Sequence, residues 1–267
     1  GNFLLLSVVA TAAHEWQSLL YIAWMLVFIS GAFVVYTHTN YRVPFYIYSA
    51  IGIGLLGAAT ATELEGALLT IAFAIEAAAI VIITKLVLRD STIALQLAWL
   101  FLLPVLLSFQ HMNYFWWDNG ILNEDFFALV TLLFTTILTG LILLSDTVQG
   151  DKKPISAVVL SIVGIGYILV LIWCVSHVFL AEDMAIFISL VIYTILGLAF
   201  FIRGKREDDT ALFTLGGALL GLVVLRLLFI DVWQMELFGR VITFGAIGIM
   251  LISTAFIGKN KRTDLVQ

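Results

Sequence analysis

Apolar residues in this chain fall in long blocks, not in the three-or-four spacing of a helix with one wet face. Ten blocks are read: 3–13, 17–37, 44–60, 66–88, 91–110, 126–145, 154–178, 184–202, 210–230 and 237–257. Most run to roughly 20 residues, the length a helix needs to cross the ~30 Å hydrocarbon core of a bilayer. Alternating strands of ~10 residues, which a membrane β-barrel requires, are not seen in the sequence. The connections are short, so consecutive helices are expected to be antiparallel neighbours. The pattern predicts an all-α fold: a polytopic transmembrane helical bundle of about ten antiparallel spans in tandem hairpins, one domain over 1–267. The first block is too short to span, and Gly1 to Ala13 lacks the basic leader of a signal peptide. It reads as the end of a truncated first span, and the chain as a fragment of a longer protein.

Composition agrees with the pattern. Only 12% of the 267 residues are charged, about half the usual share for a soluble domain. The mean hydropathy is +1.11. The single cysteine, Cys174, sits inside an apolar block and can form neither an internal disulfide nor a cysteine metal cluster.

The placement of charge is more informative than its sum. Arg42, Lys85, Arg89, Lys152, Lys153, Arg203, Lys205, Arg206, Lys259, Lys261 and Arg262 are eleven of the thirteen basic residues, and all fall on one side of an up-down layout. The intervening loops hold Glu15, Glu63, Glu65, Asp118, Glu124, Asp125, Glu182, Asp183, Asp231 and Glu236, with no Lys or Arg. By the positive-inside rule the basic side is cytoplasmic, with both ends of this chain on it. A weak internal repeat fits the same layout. EDFFALVTLLFTTIL starts at Glu124 and EDMAIFISLVIYTIL at Glu182, an offset of 58.

The acids at the outer helix starts complement the helix dipole and are expected to cap free N–H groups; the other reading is a cation-attracting vestibule. Pro44 and Pro154 sit at helix starts, whereas Pro104 falls inside its block and is expected to kink it, freeing a carbonyl. Gly216, Gly217 and Gly221 give a small-residue face for close helix packing.

Two sites stand out as candidate chemistry. Glu76 lies eleven residues past Glu65, about 16 Å along its helix at 1.5 Å per residue, near the bilayer midplane. A lone carboxylate there is costly unless protonated or paired. It reads either as a site for proton or cation coupling or polar ligand contact, or as a neutral acid bonded to a facing Thr, Ser or Tyr. The second is the stretch Leu225 to Gly248, which sets Arg226 and Arg240 inside apolar segments around Asp231 and Glu236. Glu236 and Arg240 have the favourable i to i+4 order. Arg226 has no ideal same-helix partner, since Asp231 is five residues on and turned about 140° away, and must reach another helix or snorkel outward. The cluster reads as a brace between the last two helices, or as a site recognising a phosphate or carboxylate.

His14, His111 and His177 fall near the outer face, but their spacing matches no ligand motif, and neither a metal site nor a cofactor is expected. The loop HMNYFWWDNG, with Trp116 and Trp117, reads as an aromatic belt at the membrane surface, together with Trp16 and Trp233; a sugar- or lipid-binding platform is the other reading. No nucleophile elbow, Walker loop or dinucleotide fingerprint occurs, and the dispersed basic residues do not support nucleic-acid binding.

Around Glu76, LLTIAFAIEAAAIVI (69–83), and in the final hairpin, Arg226 with Asp231 and then RVITFGAIGIMLISTAFI (240–257), with Arg240, Phe244 and Gly248, the chain resembles a bacterial family of long multi-spanning membrane proteins. That family is known only as domain of unknown function twenty-three thirty-nine. Its members end in such a hairpin, with a Lys as often as an Arg at the position of Arg226. They usually carry further spans and an N-terminal soluble stretch. The resemblance implies a bacterial inner-membrane location, many helices and no established activity.

Three functions are open from the sequence. One is a transporter or flippase-like protein, with Glu76 and the Arg226/Asp231/Glu236/Arg240 group lining a polar cavity for an anionic or lipid-linked solute. The second is a non-catalytic scaffold or assembly partner in the envelope. The third is a membrane enzyme on a lipid-linked substrate, using outer carboxylates with His111 or His177. The first two are not enzymes. Membrane lipids are the expected partners throughout.

Overall fold

The apolar blocks become helices. The computed structural model describes residues 17–39, 42–86, 89–113, 117, 120–145, 154–227, 241–249 and 252. The helices are α1 (Gln17–Thr39), α2 (Arg42–Glu63), α3 (Gly66–Leu86), α4 (Ser91–Leu97), α5 (Leu102–Ser108), α6 (Glu124–Leu144), α7 (Ile155–Phe179), α8 (Glu182–Arg206) and α9 (Thr210–Arg226). Residues 241–249 are helical as well, and no strand occurs among the described residues. Among the described residues five helices are long and apolar enough to cross a membrane: α3, the interrupted helix Ser91–Met112, α6, α7 and α8. At 21 residues, α3 is about 31 Å long, close to the thickness of a hydrocarbon core. The block at 3–13 lies outside the described residues.

The block at 91–110 is not one regular helix. It runs as α4, a 3-10 turn at Ala98–Phe101, α5, and a second 3-10 turn at Phe109–Met112. Pro104 stands three residues past the first turn. Its ring cannot coexist with a regular i to i−4 bond, and the tighter winding just upstream is the local response.

The helix caps differ from expectation. Asn123, not an acid, caps α6, its side-chain oxygen accepting from the Phe126 N–H at 2.7 Å. Glu124 and Asp125 occupy the first turn instead. Glu182 and Asp183 do the same in α8, whose cap residue Ala181 makes no side-chain bond. The capping aspartates are Asp90 on α4 and Asp209 on α9, at ends where the sequence places Lys and Arg. An Asn or Asp in extended backbone just before the first turn is positioned to accept; an acid already inside the turn acts through the dipole.

The chain groups into two compact units. One comprises Gly1–Met112 and Leu122–Tyr167, the other Asn113–Ile121 and Ile168–Gln267. In the first unit α1 and α2 pack as a hairpin, and α3 packs along α6. Two polar contacts fix the directions. Thr70, near the start of α3, and Asp125, in the first turn of α6, both bond His111 at the end of the interrupted helix. At the opposite end Lys85 of α3 donates to the carbonyl of Ile142 in α6. So α3 and α6 run parallel and the interrupted helix runs against both, as the alternation of charge predicts.

The face that α3 buries in this unit is built mainly from small residues. On α3, Ala67, Thr70, Ala74, Ala77, Ala78 and Val81 are buried, while Leu68, Ile75, Ile83 and Leu86 are 51–61% exposed. Water would favour the reverse, since burying a large aliphatic side chain is worth about 1.5–3 kcal/mol. In lipid that drive vanishes, and close backbone approach through small residues takes its place. The α6–α7 contact shows the same economy of space: a Cβ on Gly140 would come within 2.6 Å of Ser161 Oγ.

In the second unit α8 and α9 form a close hairpin. Added Cβ atoms on Gly204 and Gly216 would strike the backbone of Phe213 and Phe201, and one on Gly197 would lie 2.9 Å from Leu220 Cδ2. The small-residue face read at Gly216, Gly217 and Gly221 is thus corrected. Gly216 carries the contact together with glycines on α8, whereas Gly217 and Gly221 have nothing described within 4 Å of an added Cβ. Ile186, Leu190, Tyr193, Val223, Leu227 and Ile247 form the core of this unit.

Candidate functional site

Glu76 is the eleventh of the 21 residues of α3, about 15 Å from either end. Its carboxyl meets the hydroxyl of Thr60 on α2. Thr60 Oγ1 also lies 3.1 Å from the carbonyl of Leu56, one turn back on its own helix. A threonine hydroxyl has one hydrogen and two lone pairs. It can donate to Leu56 while accepting from a protonated Glu76, or turn and donate to an ionised one.

Beside this pair lies a cavity of about 310 Å³, the share of roughly ten liquid waters. Its walls come from three elements: α2 through Gly54 and Gly57, α3 through Phe73 and Glu76, and the interrupted helix through Leu103 and Pro104. Apart from Glu76, every lining residue is aliphatic, aromatic, glycine or proline. Nothing lies within 4 Å of a Cβ built on Gly54, and the nearest atom to one on Gly57 is Phe73 Cε1 at 3.7 Å. Gly54 and Leu103 are both exposed, Leu103 by 49%, so the cavity opens at the surface of the unit.

A second polar cluster joins the ends of three helices. His111 Nδ1 and Asp125 Oδ1 are 2.6 Å apart, and His111 Nε2 lies 3.0 Å from Thr70 Oγ1 and 3.2 Å from Gln110 Nε2. An amide N–H facing Nε2 makes that nitrogen an acceptor, which leaves the proton on Nδ1, pointing at Asp125. Hydroxyl, imidazole and carboxylate stand in the order of a nucleophile with its general base. Thr70, however, has no exposed surface, and His111 is 4% exposed. Thr70 Oγ1 is also within 3.3 Å of the Gly66 carbonyl. The cluster therefore ties helices together and offers no hydroxyl to a substrate. Ser108 and Tyr167, 2.7 Å apart through their oxygens, add a further tie between α5 and α7.

In the second unit the half-buried Arg226 reaches across to α7. Its guanidinium carbon stands 3.8 Å from the centroid of the Trp173 ring. The same ring touches His177, centroid to centroid 3.7 Å at a 48° tilt, and His177 Nδ1 lies 2.9 Å from the Trp173 carbonyl. The sequence calls for a partner on another helix, and the Trp173 ring, with the negative quadrupole of its face, is one. Asp231, Glu236, Arg240 and Trp116 lie outside the described residues, as does His14. Glu76 belongs to the first unit and Arg226 to the second.

Trp117 is 2% exposed. Its indole is enclosed by protein, so the belt reading does not hold for it. No three of His, Cys, Asp and Glu converge as metal ligands among the described residues. Thr60, Phe73, Gly54 and the wall around Pro104 were not singled out in the sequence. The one signal available was the kink expected at Pro104.

An all-helical chain with five long apolar helices among the described residues fits a helical membrane bundle. No protein-family model matches the chain, no curated protein matches it, and no solved structure matches its fold.

Proposed function

We propose that this chain is part of a multi-spanning inner-membrane protein of the bacterial type, with both ends of the chain on the cytoplasmic side. Its activity is to bind an amphipathic solute taken from the bilayer, in the manner of a transporter or flippase-like protein. The observation that carries this reading is the Glu76 carboxyl. It sits at mid-helix, bonded to Thr60, on the wall of a cavity open at the surface of its unit, where this reading sets the lipid. An apolar pocket with one oriented polar group is the usual form of a small-molecule site. A carboxyl inside a membrane span is retained against a cost of a few kcal/mol. The alternation of basic and acidic ends supports the orientation.

The test is labelling by dicyclohexylcarbodiimide, an apolar reagent that reaches protonated carboxyl groups from the lipid phase. The protein in lipid nanodiscs should acquire one adduct, located by mass spectrometry at Glu76. Gly54→Leu, which fills the cavity, should slow that labelling while the protein stays folded. An unlabelled Glu76 in the folded protein would overturn the reading.

A further inference from the structure

We infer that the Glu76 cavity takes a lipophilic cation, an amine or quaternary ammonium on an apolar body, in exchange for the carboxyl proton. This rests on the reading above and names its ligand. Three observations converge. Among the described lining residues Glu76 is the one group with a charge, so they offer a negative charge and no positive one. The titratable census is short: α2 faces Glu76 with glycines, aliphatic side chains and the Thr60 hydroxyl, α3 with Phe73 and aliphatic groups, and the interrupted helix with leucines and Pro104. An anion would meet a carboxyl with no compensating donor except that hydroxyl. A cation would meet a carboxylate, and Phe73 lines the same cavity as an aromatic partner for that charge.

The third observation is the double placement of Thr60. Its oxygen is within bonding reach of both the Leu56 carbonyl and Glu76. With the cavity empty, Glu76 carries its proton and donates to Thr60, which donates to Leu56. With a cation present, the proton leaves to water, the carboxylate pairs with the cation, and the Thr60 hydrogen turns from Leu56 to Glu76. Charge balances at each stage: one proton out for one cation in. A single hydroxyl with two acceptors serves both states without moving a helix.

The experiment uses the whole chain in nanodiscs and reads the rate of carbodiimide labelling at Glu76. The probes are benzyltrimethylammonium, a fixed cation, and neopentylbenzene, its uncharged isostere. The cation is expected to slow labelling strongly and the isostere, at equal concentration in the membrane, to leave it unchanged. Exchange of one proton predicts that the cation's apparent affinity falls about tenfold per pH unit on the acid side. Thr60→Val should weaken protection by the cation while labelling without probe persists. Equal protection by the isostere, or protection indifferent to pH, would overturn the cation inference and leave the binding site standing. Absence of labelling without any probe would remove both.

Discussion

Thr60 and Glu76 meet halfway along α3, hydroxyl on one helix and carboxyl on the next. Hydrogen bonds between helices in membranes average about 0.6 kcal/mol and reach about 1.7. Glu76→Gln keeps a group that bonds Thr60 and should leave the detergent melting curve in place. Thr60→Val should lose an amount within that range in an unfolding titration with dodecyl sulfate. A Glu76→Gln protein that fails to fold would mean that the carboxyl is needed for structure.

His111 and Asp125 should be energetically coupled. Asp125→Ala leaves the buried His111 without its carboxylate partner, at about 1–3 kcal/mol, and His111→Ala removes the partner of Asp125, whose side chain is 29% exposed. The double variant should cost less than the sum, with a coupling of about 1 kcal/mol or more. Strict additivity in a double-mutant cycle would show that the 2.6 Å contact contributes nothing beyond its geometry.

Lys85 donates to the Ile142 carbonyl near the C-terminal end of α6, and Ser145 donates to the same oxygen at 2.8 Å. Lys85→Met should remove a positive charge from the negative end of a helix dipole, costing about 0.5–2 kcal/mol. Hydrogen exchange should quicken around Ile142 to Ser145 before it does elsewhere in α6. Uniform exchange along α6 would count against a local role.

Gly216 and Gly217 are neighbours with opposite expectations. Gly216→Leu places atoms against the Phe201 backbone and should destabilise the α8–α9 hairpin by at least 1–3 kcal/mol, the usual range for overpacking. Gly217→Ala meets nothing within 4 Å among the described residues and should be neutral or stabilising by up to about 1 kcal/mol. Equal effects on melting would place the close approach elsewhere.

Arg226 lies over Trp173. Replacing it with Gln should cost about 0.5–2 kcal/mol, the range of a cation over an indole, and Trp173→Leu should cost a similar amount. Arg226→Lys should retain part of it, since an ammonium keeps the charge but not the planar stacking. Arg226→Gln melting like the parent would deny the ring contact an energetic role.

The helices were legible because span length and charge alternation are one-dimensional signals. Blocks of ~20 apolar residues and the side on which Lys and Arg fall need no knowledge of neighbours. Glu76 was legible for the same reason, as a lone acid far from either helix end. Its partner was not. Any Thr, Ser or Tyr on an adjacent helix satisfies the chemistry, and only packing selects Thr60. The ring under Arg226 was missed because a cation in an apolar segment invites a search for acids, and the sequence has acids nearby. Asn123 capped α6 although two acids follow it, since backbone conformation at the cap decides the role and the residue list does not show it. Trp117 illustrates the same limit: an indole in a turn between spans serves equally well outside or inside, and enclosure depends on chain that lies far away in sequence.

The small-inside, large-outside arrangement of α3 carries a consequence for handling the molecule. On α3 the side chains turned to its neighbours are mostly alanine and threonine, while Leu68, Ile75 and Ile83 face outward. The oily coat is thus separable from the architecture. Exchanging such outward aliphatics for glutamate and lysine should yield a version that dissolves without detergent, its interior seams unaltered.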